Sequence, residues 1–505
     1  MLNRGSSVRP GFSLLLLLLF ASFLTISTTP TISLESAQQI EDDTAQLASF
    51  IDCTPILNSS TIGSLWDICI DSQGFLYVTG STSYSSFPVV DGIDNTLGGT
   101  QDCFVMKMNT TDGSILYSSF LGGNSADYAS SICVDSLGCI YVLGSTYSED
   151  FPLVNPYSDY FNQSSQYFLT KFAPDGQTLV YSTFFGPEFI DKPNGADFQA
   201  LAVDEQGYAY LAGSTRTSEV PIVNAFDDTY SGDTDCYVLK MNPTGTEVVY
   251  ASFYGAQYTD SGSDLFYTDS GTIYVAGATD ICPTDEYYYP GIDYGGHCFV
   301  LKISGNGTLL DSGEFKTRGF FPSMSIVVDS QYYVYLLDNF HTASSFAVYR
   351  LDDDLEDLEY TKEMGGSEFD SAGAFSIDSD DYIYIAGRTA SDDFIQNPTN
   401  PYSGVDDCFI VRMNTAGGVV FSNLYGSAYH ETTIAIAVGE GGQVYLAGYS
   451  VEGCPCDPGY HSSFIISIQT SSGDAIPLIQ LSLVVGGTIG FVVLALATAY
   501  RKRSM

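Results

Sequence analysis

Short apolar stretches with alternating polar positions recur along most of the chain, and clusters of Gly, Asp, Asn and Ser separate them. One stretch begins with Asp-x-x-Gly and continues as apolar–Tyr–apolar to a closing glycine, as in DSQGFLYVTGST from Asp71 and DSLGCIYVLGST from Asp135. A period of two along a short segment is typical of a β strand with one buried face. The pattern therefore predicts a chain of short strands joined by tight turns.

The strand that contains the tyrosine recurs seven times, about every 60 residues, a spacing typical of propellers and solenoids. The aligned tyrosines are Tyr77, Tyr141, Tyr210, Tyr274, Tyr335, Tyr384 and Tyr445. An apolar stretch precedes each copy, and two further phrases follow most of them, as in DCFVMKM from Asp102 and YSSFLGG from Tyr117. Four strands in each of seven units predict an all-β fold, a seven-bladed β-propeller of four-stranded antiparallel blades.

The seventh unit lacks the last of its four strands. Its third strand, residues 464–468, is followed by no copy of the YSSF phrase, whereas residues 47–51 (LASFI) are similar to that phrase. We therefore expect residues 47–51 to pair with residues 464–468 and to close the ring with an N-terminal strand. Closure would hide the hydrogen-bonding edge that an open array exposes.

These phrases resemble the SBBP β-propeller repeat of prokaryotic surface proteins, whose pattern runs roughly G-G-x-x-x-D, then A-V-D-x-x-G-x-x-Y-V-x-G-x-T-x-S-x-x-F-P. The second unit matches it at Gly122, Gly123, Asp127, Val134, Asp135, Gly138, Tyr141, Gly144, Thr146, Phe151 and Pro152. The resemblance covers about residues 45–468 and is weak in the fifth unit, where Asp338 replaces the strand-ending glycine. It implies a propeller on the surface of a prokaryote, which we expect to be an archaeon, and it implies no activity.

The two ends of the chain carry apolar segments outside the repeats. Residues 1–28 combine two arginines with six consecutive leucines, the pattern of a signal peptide; an uncleaved N-terminal anchor is the alternative. We assign residues 29–44 to a spacer, 45–468 to the propeller ectodomain and 469–475 to a linker. Residues 476–500 are long and apolar enough for a transmembrane helix, and the basic residues of 501–505 predict a cytoplasmic tail. Gly486 and Gly490 form a GxxxG pair, so a homo-oligomer is an open alternative.

Strand direction alternates within a blade, so the turns sort onto two faces. Face one holds the Asp-x-x-Gly turns and the turns between the third and fourth strands. Face two holds the long loops between the second and third strands and the links between blades. Because few residues separate the last propeller strand from residues 476–500, we expect face one to look toward the cell membrane and face two to look outward. The tyrosine-rich loops of face two are the expected contact for a protein or glycan ligand.

The chain is strongly acidic, with 60 Asp and Glu against 17 Lys and Arg and a net charge of −43. Such a surface repels phosphate groups, so we expect no nucleic-acid partner, and it attracts divalent cations. Acidic residues near the first strand of successive blades are candidates for a Ca²⁺ site at the channel mouth. They are Asp127, Asp197, Asp264, Asp370 and Glu431. The alternative is that each carboxylate caps its own loop, in which case we expect no cofactor.

Cysteines and sequons supply the remaining candidates. Six cysteines recur at two repeat positions and are predicted to be buried thiols: Cys103, Cys236, Cys298 and Cys408 at one position, and Cys69 and Cys133 at the other. Cys53 follows the predicted closing strand, and Cys454 and Cys456 lie in a loop of the blade it completes, so we expect a disulfide from Cys53 to one of the other two. The sequons for N-glycosylation are Asn58, Asn109, Asn162 and Asn306.

The sequence carries no signature of a catalytic class. It has four histidines and no HExxH, GxSxG, Walker or CxxC motif. We therefore expect a membrane-anchored, non-enzymatic module for binding or adhesion. A structural component of the cell envelope is one alternative. A hydrolase or lyase of extracellular polysaccharide, which would use paired carboxylates, is another.

Overall fold

The computed structural model describes residues 54–161, 165–185, 197–257, 259–279, 297–317, 324–339, 345–395, 398, 400–451 and 461–470. In this part of the chain, 28 strands form seven antiparallel four-stranded sheets, which confirms the predicted all-β, seven-bladed propeller. The predicted signal peptide, spacer, disulfide cysteines, transmembrane helix and tail lie outside the described residues. The described residues contain no helix that is long and apolar enough to cross a membrane.

The strands of each blade follow one another from the channel to the rim. Blade one consists of β2 (Ser64–Ile70), β3 (Phe75–Thr82), β4 (Asp102–Asn109) and β5 (Ile115–Leu121). Blade two consists of β6 (Asp127–Val134), β7 (Ile140–Thr146), β8 (Gln166–Phe172) and β9 (Leu179–Phe185). Blade three consists of β10 (Asp197–Val203), β11 (Ala209–Thr215), β12 (Asp235–Met241) and β13 (Val248–Tyr254). Blade four consists of β14 (Asp260–Tyr267), β15 (Thr272–Thr279), β16 (His297–Ser304) and β17 (Leu309–Lys316). Blade five consists of β18 (Met324–Val328), β19 (Val334–Asn339), β20 (Phe346–Leu351) and β21 (Leu358–Met364).

Blade six consists of β22 (Asp370–Ile377), β23 (Ile383–Thr389), β24 (Asp407–Met413) and β25 (Val419–Tyr425). Blade seven combines β26 (His430–Val438), β27 (Gln443–Val451) and β28 (His461–Gln469) with the N-terminal strand β1 (Thr54–Ser59). A short 3₁₀ helix, Glu440–Gly442, lies between β26 and β27. Neighbouring strands are antiparallel, so the turns alternate between the two faces as predicted.

The blades close into a ring because each blade covers its neighbour. The innermost strands contact one another in the cycle β2, β6, β10, β14, β18, β22, β26 and back to β2. The described residues form seven clusters of buried apolar side chains, and each cluster draws mainly on two adjacent blades. One of them joins Ile465 of blade seven to Leu76 and Val78 of blade one. A blade therefore buries its two faces only within the closed ring.

The closing strand is N-terminal, as predicted, but it is not formed by residues 47–51. β1 occupies the outer edge of β28, with Asn58 opposite Phe464 and Ser59 opposite Ser463, so the assignment of residues 47–51 to this edge is wrong. An outermost strand needs apolar side chains only toward the neighbouring blade. In β1, Ile56 supplies that contact in the cluster shared with blade one. A copy of the YSSF phrase is therefore not required at this position.

A glycine ends the second strand of most blades because the first strand bulges toward it. A Cβ on Gly144 would lie 2.2 Å from the carbonyl oxygen of Tyr128, beside the bulge between Ala129 and Ser131. Blade five is the exception that the sequence indicated. Its β18 pairs with β19 without a shift of register, and Asp338 occupies the glycine position. The glycine and the bulge therefore belong together.

The long face-two loops of blades one to three fold back along the outer strand of their own blade. The bridges join Val90 to Ser118, Val154 to Ser182 and Val223 to Ala251. In blade one, the ring of Phe87 from the Phe-Pro motif lies 4.9 Å from that of Phe104 and 5.2 Å from that of Phe120. The loop covers the sheet edge, and the edge in turn fixes the position of the loop.

Candidate functional site

Face one is built from a repeated cluster of an aspartate, a tyrosine and a basic residue. In blade two, Oδ1 of Asp135 accepts the backbone N–H groups of Leu137 and Cys139 at 3.0 and 2.9 Å. The hydroxyl of Tyr141 donates to Oδ2 of the same carboxylate at 3.0 Å. The Lys171 ammonium lies 3.5 Å from that oxygen and 4.6 Å from the centre of the Tyr141 ring. Burial raises the pKa of Tyr141 far above its usual value, so the phenol stays a hydrogen-bond donor.

The same arrangement recurs around face one. The other pairs of turn aspartate and tyrosine are Asp71 with Tyr77, Asp204 with Tyr210, Asp329 with Tyr335 and Asp378 with Tyr384. In blade four, Thr268 takes the place of the aspartate, and Tyr274 donates to Asp353 instead. One carboxylate oxygen of each aspartate accepts N–H groups of its own turn, and the other accepts the tyrosine hydroxyl of the strand that follows. These aspartates therefore have a structural role.

Three of the predicted metal ligands lie at the start of a first strand on face two. Asp127 begins β6, Asp370 begins β22 and Glu431 is the second residue of β26. Each is buried and accepts the backbone N–H of the residue four positions earlier, at 2.8, 2.5 and 3.2 Å. This is the capping arrangement that the sequence left open as the alternative to a metal site. Asp197 begins β10, and its side chain lies outside the described part.

Asp264 lies elsewhere, because Asp260 takes the equivalent place in blade four and accepts the N–H of Ala256 at 2.6 Å. Asp264 follows the bulge of β14, and its Oδ2 accepts the N–H of Ile326 in blade five at 2.9 Å. Burial raises the pKa of Asp264 to about 7. The predicted ligands are therefore not brought to one site. Among the described residues, no three His, Cys, Asp or Glu side chains are grouped so as to hold a metal ion.

Sequence reasoning missed a second acidic position, at the start of the third strand. Asp102, Asp235 and Asp407 open β4, β12 and β24, and each lies beside an acidic residue of the next blade. We call these seam pairs: Asp102–Asp127, Asp235–Asp260 and Asp407–Glu431. The signal was visible as the aspartate that opens the phrases DCFVMKM, DCYVLKM and DCFIVRM.

The carboxyl groups of the seam pairs are buried, and the two members of a pair repel each other when both are charged. All six side chains are at most 3% exposed. Burial, reinforced by the charge of Asp260, raises the pKa of Asp235 to about 6. Burial and the charge of Glu431 raise the pKa of Asp407 to about 7. A backbone hydrogen bond joins the two blades beside each pair, for example from the N–H of Asp260 to the carbonyl oxygen of Thr234 at 2.7 Å.

Exposed aromatic side chains gather on face two. They are Tyr84, Tyr147, Tyr157, Tyr160 and Phe369, with Trp66 at the bulge of β2. Tyr147 is 50% exposed, and its ring stands edge-on to that of Tyr128 at 6.3 Å. The exposed large side chains near face one are mostly aliphatic, such as Leu116, Leu137 and Leu310, and Tyr332 is an exposed aromatic side chain there. Most of the exposed aromatic side chains of the described residues therefore lie on the face predicted to bind a ligand.

The remaining candidates fall in structural positions. Cys103, Cys236, Cys298 and Cys408 are buried, as predicted, whereas Cys69 and Cys133 are only partly buried. Asn109 ends β4 and Asn306 is exposed in the turn after β16, both on face one. Asn58 lies in β1, opposite Phe464. Cys53, Cys454, Cys456 and Asn162 lie outside the described residues.

The fold and its repeated turn clusters define a seven-bladed β-propeller. The family described as SBBP, a beta-propeller repeat, matches residues 116–152, which confirms the resemblance seen in the second unit. No curated protein matches the chain.

Similar solved structures include Raptor of Chaetomium thermophilum, the Dos1 propeller and a Trypanosoma rangeli sialidase. Raptor has 7% identity and a TM-score of 0.48, over 93% of this chain and 36% of that chain. The Dos1 propeller has 9% identity and a TM-score of 0.43, over 83% of this chain and 96% of that chain. The sialidase has 8% identity and a TM-score of 0.38, over 66% of this chain and 53% of that chain. The chain thus spans little more than a third of the Raptor chain.

Proposed function

We propose that the protein is a non-enzymatic surface module whose face two binds a glycan or a protein partner. The supporting observation is that the large exposed aromatic side chains of this face stand on loops that are fixed along the blades. Tyr84, Tyr157 and Tyr160 belong to the loops bridged to the outer strands of blades one and two. Rigid aromatic side chains offer a large contact area at a low cost in conformational entropy.

The buried state of the carboxylate pairs favours binding over hydrolysis. A glycoside hydrolase places two carboxyl groups on either side of the bond that it cleaves. The three seam pairs supply the right residue type, but their side chains have almost no exposed surface, so a glycan on face two would not contact them. The exposed aromatic side chains would contact it.

We place the propeller outside the cell, on a single-pass anchor formed by residues 476–500. β28 ends at Gln469 on face one, a few residues before that apolar segment. Face one would then look toward the cell membrane, and face two would be presented to partners outside. The basic residues at the end of the chain would remain cytoplasmic.

Ligand binding can be tested with the full chain purified in detergent. The chain is applied to a glycan array and to a panel of surface proteins, and bound glycans are analysed for cleavage products by mass spectrometry. We expect a glycan or protein that binds without turnover, with roughly tenfold or greater loss of affinity in Tyr147→Ala. Leu137→Ala, which removes an exposed side chain from face one, is the control. Cleavage products, or binding that Tyr147→Ala leaves intact, would contradict the proposal.

A further inference from the structure

The outer strands of blades one to three have no open edge at their centre, because a loop of the same blade pairs with each of them. In blade one, the N–H of Val90 donates to the carbonyl oxygen of Ser118 at 3.2 Å, and the N–H of Ser118 donates to that of Val90 at 2.9 Å. Ser182 of blade two and Ala251 of blade three are bonded to their own loops in the same way. None of these three outer-strand residues has exposed surface.

Among the described residues, none pairs with the equivalent backbone groups of blade five. Thr361 of β21 corresponds to Ser118, because it lies opposite Tyr349 in the register in which Ser118 lies opposite Met106. Its N–H and carbonyl oxygen therefore point away from the sheet, as those of Ser118 do. Thr361 is exposed, and the described residues supply no hydrogen-bond partner for its outward backbone groups. The centre of the outer edge of β21 is thus an open strand edge.

The length of one connection explains the difference. Residues 83–101 join β3 to β4 in blade one, whereas only residues 340–345 join β19 to β20 in blade five. Six residues span about 20 Å when extended. A path from β19 around the outside of β21 and back to β20 takes about 24 Å at the usual spacing between strands, even before it runs along the edge. Blade five therefore lacks the loop length that closes the edge in blade one.

The remaining outer strands of the described part are protected in other ways. In blade six, the side chain of Asn400 donates to the carbonyl oxygen of Leu424 at 2.9 Å. In blade four, the N–H of Ser312 donates to the carboxylate of Asp311 at 2.8 Å. In blade seven, the corresponding residue of β1 is Pro55, which has no N–H to donate. Each of these edges offers a partner strand fewer free backbone groups than β21 does.

The charge around this edge indicates which kind of strand would pair with it. Residues 352–363 contain seven acidic residues and one basic residue, Lys362. Glu359 is exposed in β21 two positions before Thr361, on the same side of the sheet, and Asp357 is exposed in the preceding turn. Like charges on opposite strands destabilise a sheet, whereas opposite charges stabilise it. A second copy of this chain, with a net charge of −43, is therefore disfavoured, and a basic strand is favoured.

We infer that the outer edge of β21 binds an extended, lysine- or arginine-rich segment of a partner protein as a fifth strand of blade five. The backbone of Thr361 would exchange two hydrogen bonds with this segment, the same pair of bonds that Ser118 makes with Val90 in blade one. Basic side chains of the segment would lie opposite Glu359 and close to the acidic turn. This surface is at the rim of the ring, so it is separate from the aromatic surface of face two.

A designed peptide tests the inference on the full chain in detergent. The probe is a fluorescein-labelled peptide of about ten residues in which lysine alternates with threonine or valine, and fluorescence anisotropy at physiological salt measures its binding. Thr361→Pro removes the outward N–H and should weaken binding roughly tenfold or more. Thr361→Ala keeps that N–H and is the matched control, which should bind the peptide as tightly as the parent chain. The comparison of the two variants separates strand pairing from the general attraction of a basic peptide to an acidic surface.

The fold itself indicates that proline is tolerated at this position. Pro55 lies opposite Ile466 of β28, just as Thr361 lies opposite Tyr349 of β20. Should the Thr361→Pro chain nevertheless not fold, hydrogen–deuterium exchange of the parent chain takes its place. New protection should then appear in residues 358–364 when the basic peptide is added, and a peptide with glutamate in place of lysine should produce none.

The inference is overturned if the basic peptide does not bind the parent chain, if the two variants bind it equally, or if residues 358–364 gain no protection. Equal binding of the glutamate peptide would also overturn it, because the preference for a basic strand would be lost. Dimers of the parent chain that Thr361→Pro dissociates would show that a second copy occupies the edge, which contradicts the inferred partner.

Discussion

At the scale of single residues, hydrogen bonds to the turn aspartates stabilise face one. Tyr141 is buried and donates to Asp135, whereas Tyr147 is half exposed. Tyr141→Phe should lower the free energy of unfolding by about 1 kcal/mol, because a buried acceptor loses its donor. Tyr147→Phe should change it by less than about 0.5 kcal/mol. Guanidinium chloride unfolding measures both; equal losses would contradict the role assigned to Tyr141.

Asp338 makes the stability of the propeller depend on pH in a way that one substitution can test. Burial raises its pKa from 3.8 to about 6, and its Oδ1 has no hydrogen-bond partner. The folded state binds this proton more tightly than the unfolded chain does, so the free energy of unfolding should fall as pH rises from about 4 to about 6 and stay low above that. Asp338→Asn should therefore be more stable than the parent at pH 7, by at most about 3 kcal/mol.

The comparison of Asp338→Asn with the parent isolates this carboxyl from the other buried acids. The difference in free energy of unfolding, followed by denaturation between pH 4 and pH 8, should be small at the acid end and grow until about pH 6. A difference that is constant across this range would show that Asp338 does not titrate as described.

At this scale, the sequence indicates hydrogen bonds within a turn, but it does not indicate which side chains of adjacent blades lie close together. The role of Asp135 could be predicted, because its partners Leu137, Cys139 and Tyr141 follow it within six residues. Asp102 could not be paired with Asp127, because their proximity depends on how one blade packs against the next. Asp264 was chosen over Asp260 because both acids precede the tyrosine strand of blade four, and only the pairing of Asp260 with Thr279 shows which of them begins β14.

At the scale of elements, the strand-ending glycine is explained by the bulge that faces it. Gly144→Ala should destabilise the propeller by about 2 kcal/mol, because the new methyl group meets the carbonyl oxygen of Tyr128 at 2.2 Å. Asp338→Ala, at the equivalent position of the blade without a bulge, should not be destabilising at pH 7. Thermal unfolding of both variants checks this. Comparable losses would mean that the glycine serves another purpose.

The closing strand is the second element whose role can be tested. A chain that begins at residue 53 keeps β1 and should retain the Tm of the full chain. A chain that begins at residue 61 lacks β1, leaves the edge of β28 uncovered and loses the contact of Ile56, so its Tm should fall by about 10 °C or more. If both chains are equally destabilised, residues 47–51 contribute after all.

At the scale of the whole molecule, the repeat predicted the ring, and the structure adds a difference between its faces. Six basic residues stand over tyrosine rings of the face-one clusters: Lys107, Lys171, Lys240, Lys302, Arg350 and Arg412. They compensate part of the acidic charge there, whereas the buried carboxylates of the seam pairs lie on face two. The sequence alone could not show this, because a residue's face depends on strand direction and ring closure.

The central claim is that face two, and not face one, is the binding surface of a rigid ring. Hydrogen–deuterium exchange of the full chain, with and without the ligand selected on the array, measures this most directly. We predict new protection in the face-two loops, residues 83–101 and 147–161, with the face-one turns at 135–138 and 204–207 unchanged. Protection confined to those face-one turns would contradict the account.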